Sequence, residues 1–89
     1  MRKIELEWDD ENIDHIWFHH VIPEEIEEVL ESRYLFERGR KDRFYVLGQS
    51  RGGRYLFIVM EQKSSDQFRV ITARDMKQSE RKRYRERGK

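Results

Sequence analysis

The sequence predicts an α+β domain in which two N-terminal helices and one C-terminal helix pack on a mostly antiparallel β-sheet. Three observations predict it. Apolar residues recur at helical spacing over residues 10–31. Over residues 34–73 the pattern changes to short β-prone runs separated by turn residues. A highly charged segment with helical spacing follows the last of these runs. At 89 residues the chain makes one domain, 1–89.

Each element has a local reason. Ile4, Leu6 and Trp8 alternate with Lys3, Glu5 and Glu7, which argues a half-buried strand. Asp9 and Asp10 are helix-capping residues, and Glu11 adds negative charge where the helix dipole favours it. Ile13, Ile16 and Trp17 carry that helix to about His20. Pro23 starts a second helix at its first turn, with Ile26, Val29 and Leu30 as its buried stripe. Tyr34–Phe36 is a short strand, Gly39–Asp42 a turn and Arg43–Leu47 a second strand. Gln49–Gly53 makes a hairpin connection, with glycine available for positive φ. Tyr55–Met60 is continuously apolar and is expected to be a central strand covered on both faces. After a turn at Ser64–Asp66, Phe68–Ala73 forms the last strand. A helix from about Met76 to Arg87 follows, with Gly88 past its end. Trp8 and Trp17 are expected in the core.

Composition narrows the function. Only 36% of residues are hydrophobic and 42% are charged. The core is therefore thin, with a net stability of about 4–13 kcal/mol, and a partner can cover part of it. No cysteine is present, which excludes a disulfide framework and thiolate chemistry. No apolar run approaches the roughly 20 residues of a membrane helix. The acidic, alternating start is unlike a signal peptide, so a soluble, cytoplasmic protein is expected. Residues 1–32 hold 2 basic and 11 acidic side chains, a net −9. Residues 33–73 hold 9 and 4, and residues 74–89 hold 8 and 3, each a net +5. If the fold keeps these halves on different faces, the basic one attracts RNA or an acidic protein. Charges that neutralise one another inside the fold would give the same totals.

The chemistry concentrates in two places. Arg69 and Arg74 flank the final strand and its junction with the last helix, a rigid platform for groups that suit phosphate oxygens. Met76, Glu80 and Tyr84 share one helix face, so Glu80 lies near the sheet and needs Arg69 or Arg74 as partner. Lys77, Arg81 and Arg85 face solvent or a polyanion. His15, His19 and His20 are the three histidines, and His15 and His19 stand i, i+4 on the first helix. They could bind zinc given a third ligand, but none is placed nearby in sequence, so neither metal nor cofactor is expected. RNA cleavage by 2′-hydroxyl attack needs a base, an acid and cations, which His19, Arg69 and Arg74 could supply. Equally, His15 and His19 could be polar groups in the seam between helix and sheet. Arg33, Arg38, Arg40, Lys41 and Arg43 cluster around the Gly39 turn, where they could contact phosphate or simply stay solvated. Tyr34, Tyr45 and Tyr55 could stack on bases.

Glu7-Trp8-Asp9, Asn12, His15, His19, Val21, Pro23-Glu24-Glu25 and Val29-Leu30 resemble the first half of BrnT-type toxins. Arg69 to Arg74, Glu80-Arg81 and Tyr84 resemble the second half, with Gly48 and Gly53-Arg54-Tyr55 also in place. Phe18 and His20 stand where that family usually has a cation and a glycine, and Ile22 where a capping serine or threonine is common. The resemblance implies a RelE/ParE-like fold. It also implies a bacterial type II toxin that cleaves RNA, blocks translation and is bound by a BrnA-like antitoxin. His19, Arg69 and Arg74 would be catalytic, supported by Asn12, His15, Glu80 and Tyr84. Arg43, Arg54, Lys77 and Arg81 would bind RNA. The assembly is left open between a homodimer and a toxin–antitoxin heterotetramer. The alternative function is a non-catalytic module that keeps the scaffold and binds a protein or RNA.

Overall fold

The computed structural model describes residues 4–87, so the expectation for Gly88 lies outside the described residues. The chain runs β1 (Glu5–Glu7), α1 (Asp10–Trp17), α2 (Pro23–Glu31), β2 (Tyr34–Arg38), β3 (Arg43–Gln49), β4 (Tyr55–Gln62), β5 (Gln67–Asp75) and α3 (Gln78–Arg87). The expected order of elements is the observed one. The five strands form one sheet in the order β1-β5-β4-β3-β2. β2 to β5 form an antiparallel meander, and β1 adds to β5 in parallel.

Helices α1 and α2 cover one face. Ile16, Val21, Ile26 and Val29 pack there on Phe44, Val46, Leu56, Ile58, Met60, Phe68 and Val70. This is the main core, and its side chains are almost wholly removed from water. A smaller cluster lies on the other face, where Leu47, Met76 and Tyr84 pack with Leu35, Tyr45, Tyr55 and Phe57. α3 packs mainly on β2 and β3, and it reaches β4 and β5 through Tyr84 beside Tyr55 and Glu80 beside Arg74. β4 is therefore central, but it alternates buried and half-buried instead of being covered on both faces.

α1 starts on a reciprocal cap. The Asn12 backbone N–H donates to Asp9 Oδ1 at 3.0 Å, and the Asp9 N–H donates to Asn12 Oδ1 at 2.9 Å. The helix ends at Trp17, earlier than expected. The His20 N–H reaches the Trp17 carbonyl at 2.8 Å and the Val21 N–H reaches the Ile16 carbonyl at 3.2 Å. That pair of bonds closes a helix through a left-handed residue. Here the residue is His20, at φ 59°.

Two further expectations are corrected. Trp17 is 57% exposed, because the inward stripe of α1 is Asn12 and Ile16. Trp8 does pack against the core, with its indole N–H on Glu27 at 3.1 Å. α3 begins at Gln78, not Met76, because β5 continues to Asp75. Met76 still docks beside Tyr84, but from the connection that precedes the helix.

Candidate functional site

A register shift in β5 decides where its arginines point. Met60 pairs with Val70 and Val59 with Thr72, which leaves Ile71 as an extra, bulged residue. Arg69 lies opposite Glu61, and Arg74 opposite Phe57. Directly opposed residues share a face, and Glu61 and Phe57 are an even number of positions apart on β4. Arg69 and Arg74, an odd number apart, are thus brought to the same face, the one α3 partly covers. A regular strand would have put them on opposite faces.

Their surroundings differ. Arg74 lies over the Phe57 ring, 4.4 Å from its centroid. Its guanidinium donates to both carboxylate oxygens of Glu80, at 2.8 and 2.9 Å, as a bidentate pair. Glu80 is thus the expected buried carboxylate, and Arg74 is its partner. Its Oε1 also accepts the Lys77 backbone N–H at 2.8 Å, which caps α3. Arg74 first, and then this N–H, hold the Glu80 carboxyl below its ordinary range. The same pairing with Glu80 raises Arg74. Tyr84 supports the helix by donating to the Arg33 carbonyl at 3.2 Å.

Arg69 sits at the other end of β5, roughly 15 Å away by strand rise. It binds both oxygens of Asp9, and it lies 3.0 Å from Glu11 and 3.6 Å from Glu7. The Arg69 guanidinium and the Asn12 N–H hold the Asp9 carboxyl at a pKa of about 2. Three carboxylates around one cation leave this corner net negative. Arg69 therefore ties β5 to the start of α1, and it does not join Arg74 at a single phosphate. With Asn12, His15 and Ile71 it lines a hollow of about 190 Å³. Asn12, buried, donates to the Glu7 carbonyl at 2.8 Å and fixes the helix entry.

Arg54 departs from its expected role on an RNA surface. Its Nε donates to Asp75 at 2.7 Å. One terminal nitrogen donates to the His20 carbonyl at 2.6 Å and to Glu25 at 3.2 Å, and the other to the His19 carbonyl at 3.0 Å. Asp75, then Glu25, raise its pKa. The Asp75 carbonyl in turn accepts from Arg74 at 3.1 Å. One chain of hydrogen bonds thus runs from His19 through Arg54, Asp75 and Arg74 to Glu80. Sequence reasoning missed Asp75, whose acidic side chain next to Arg74 was its available signal. The His19 side chain is exposed, its ring 5.7 Å from that of Phe18.

Arg43, Lys77 and Arg81 are exposed and make no ion pair among the described residues. Arg81 lies 4.2 Å above the Tyr55 ring. Arg43 is opposite Glu61 on the face that Arg74 occupies, and Lys77 and Arg81 lie at the start of α3. They stand towards opposite ends of β4 on this face, Arg43 opposite Glu61 and Arg81 over Tyr55.

A small sheet with an arginine braced on the face that α3 partly covers, and exposed cations towards both ends of that face, is an arrangement suited to a polyanion. The sequence model for the ribonuclease toxin BrnT of type II toxin–antitoxin systems matches residues 8–80. The chain belongs to the BrnT family. Its fold is similar to the crystal structure of the Brucella abortus ribonuclease toxin BrnT, with a TM-score of 0.65 at 20% identity. That likeness covers 88% of this chain and 100% of the other. Among curated proteins, no sequence matches it.

Proposed function

We propose that this protein is a cytoplasmic endoribonuclease toxin that inhibits translation and is held inactive by a BrnA-like antitoxin. Membership of the BrnT family supports the class, and Arg74, braced by Glu80 and linked through Asp75 and Arg54 to the main-chain carbonyl of His19, is the observation that carries the mechanism. In this reading Arg43, Lys77 and Arg81 hold the flanking phosphates, each as an uncommitted cation. Arg74 stands at the reacting phosphate, where Glu80 and the Phe57 ring preorganise its fork against the charge of the phosphorane. His19 takes the proton of the 2′-hydroxyl, and the 2′-oxygen attacks phosphorus. The bond to the 5′-oxygen breaks, and that oxygen takes a proton from the imidazolium or from water. The products are a 2′,3′-cyclic phosphate and a free 5′-hydroxyl. Arg69 and Asn12 act further back, fixing the helix that leads to His19, and His15 shares their hollow.

The test is cleavage of a defined RNA by the purified protein, with and without EDTA. Cleavage is expected in both. His19→Ala and Arg74→Ala should each lower the rate roughly 100-fold or more, with circular dichroism unchanged. Variants that cut as fast as the parent would overturn the assignment of these two residues.

A further inference from the structure

The exposed large hydrophobic residues among the described ones are Trp17, Phe18 and Ile22, at 57%, 83% and 41% exposure. All three fall within six positions, at the end of α1 and the start of α2. Apolar residues scattered singly over a surface need no explanation, but a cluster marks an interaction site. In a chain that is 42% charged, this one stands out.

The cluster is rigidly presented. The Trp17 and His20 rings meet edge to face at 5.3 Å. Arg54 holds the His19 and His20 carbonyls and ties them to Asp75 and Glu25. A surface fixed in this way loses little conformational freedom when a partner lands on it.

Its border is acidic. Beside Phe18 lies a hollow of about 450 Å³ lined by Glu11, Asp14, His15 and Phe18. Asp14 and Glu24 are exposed and make no ion pair among the described residues. Such a border disfavours nucleic acid or an anionic membrane as the occupant of the apolar side chains themselves. A second copy of the chain is also a poor match. Its described residues carry exposed large hydrophobics only in this same patch, so pairing would bring like acids together.

We infer that Trp17, Phe18 and Ile22 form the docking surface for a protein partner that presents an apolar stripe flanked by lysine or arginine. The apolar anchors cover Phe18 and Trp17, and a basic side chain enters the hollow beside Asp14. That this partner restrains the protein rests on the toxin reading above, since it would dock next to His19.

The test uses the full chain and two labelled amphipathic peptides of about 15 residues, with the same leucine stripe but lysine or glutamate flanks. Fluorescence anisotropy should show saturable binding of the lysine peptide and at least roughly tenfold weaker binding of the glutamate peptide. The double variant Trp17→Ser/Phe18→Ser should weaken the lysine peptide by roughly tenfold or more. Asp14→Lys should weaken it severalfold, with both variants melting as the parent does. Equal binding of the two peptides, or unchanged affinity in the variants, overturns the inference. So does a Phe18-dependent dimer in sedimentation, or Phe18-dependent binding to phosphatidylglycerol vesicles. RNA cleavage is assayed on the same preparations. Peptide discrimination without cleavage removes the toxin reading and leaves the docking surface, whereas cleavage without discrimination removes the docking surface alone.

Discussion

Replacing Glu80 by alanine tests whether one carboxylate both braces Arg74 and starts α3. The substitution removes two charge-assisted hydrogen bonds to Arg74, at 2.8 and 2.9 Å, and the 2.8 Å cap on Lys77. A lost cap costs about 1 kcal/mol. A hydrogen bond to a charged group contributes roughly 1.5–3 kcal/mol. The Arg74 side chain is 29% exposed, so water can take over part of what Glu80 gave it, and its stack on Phe57 remains. The total is therefore about 2–4 kcal/mol, a large share of the stability of a domain this size. It corresponds to a fall in Tm of roughly 10–30 °C. Glu80→Gln keeps an acceptor for the cap and should cost about half as much. Urea unfolding followed by circular dichroism measures both, and the m-value should not change. The pH dependence has a definite sign. Glu80 has a folded pKa below its ordinary 4.5. Its contribution is complete above that ordinary value and is lost as pH falls through the folded one. The gap between parent and Glu80→Gln should therefore close in acid. An alanine variant within about 0.5 kcal/mol of the parent, or a gap that is flat down to acid pH, would refute the reasoning.

His20 holds φ 59° without being glycine. His20→Gly should therefore stabilise the fold by about 1 kcal/mol, read as a higher urea midpoint. Gly48 has no room for a side chain, since a Cβ there would lie 2.6 Å from Val29 Cγ1 and 3.2 Å from Tyr34 Cβ. Gly48→Ala should cost about 1–3 kcal/mol in the same assay. Asp9 has a folded pKa of about 2 against an ordinary 3.8. Thermal melts of parent and Asp9→Asn should differ by a constant amount above pH 3.8 and converge as pH falls towards 2.

Legibility in the sequence followed the range of the interactions. The order of elements was readable because Ile26 and Val29, Pro23, and the Gly52-Gly53 turn each act within a few residues of themselves. Helical spacing placed Glu80 near the sheet, but the choice between Arg69 and Arg74 as its partner was made only by the tertiary structure, which selects Arg74. The bulge at Ile71 was not, since nothing in Arg69-Val-Ile-Thr-Ala-Arg74 marks an extra residue, and the shift exists only relative to β4. It is this bulge that sets the two arginines on one face. The exposure of Trp17 was hidden for a related reason. Periodicity identifies an apolar stripe, but the contacts of α1 with β5 decide which side of the stripe meets the sheet.

Charge shows most clearly how tertiary structure divides like residues into unlike roles. The acids of the first 32 residues do not stay apart from the basic remainder. Arg51 meets Glu28 and Glu31, Arg54 meets Glu25, and Arg69 meets Glu7, Asp9 and Glu11. These arginines bind the helical layer to the sheet, so their charges are committed before any ligand arrives. The cations without an acid among the described residues include Arg43, Lys77 and Arg81, on the side of the sheet where α3 lies. Arg74 stands between the two groups, paired with one carboxylate but placed on the open face. Its bidentate pairing with Glu80 fixes the fork in place for the role proposed above. The acidic N-terminal segment thus commits Arg51, Arg54 and Arg69 to structure, and in the function proposed above Arg43, Lys77 and Arg81 are the cations that remain for RNA.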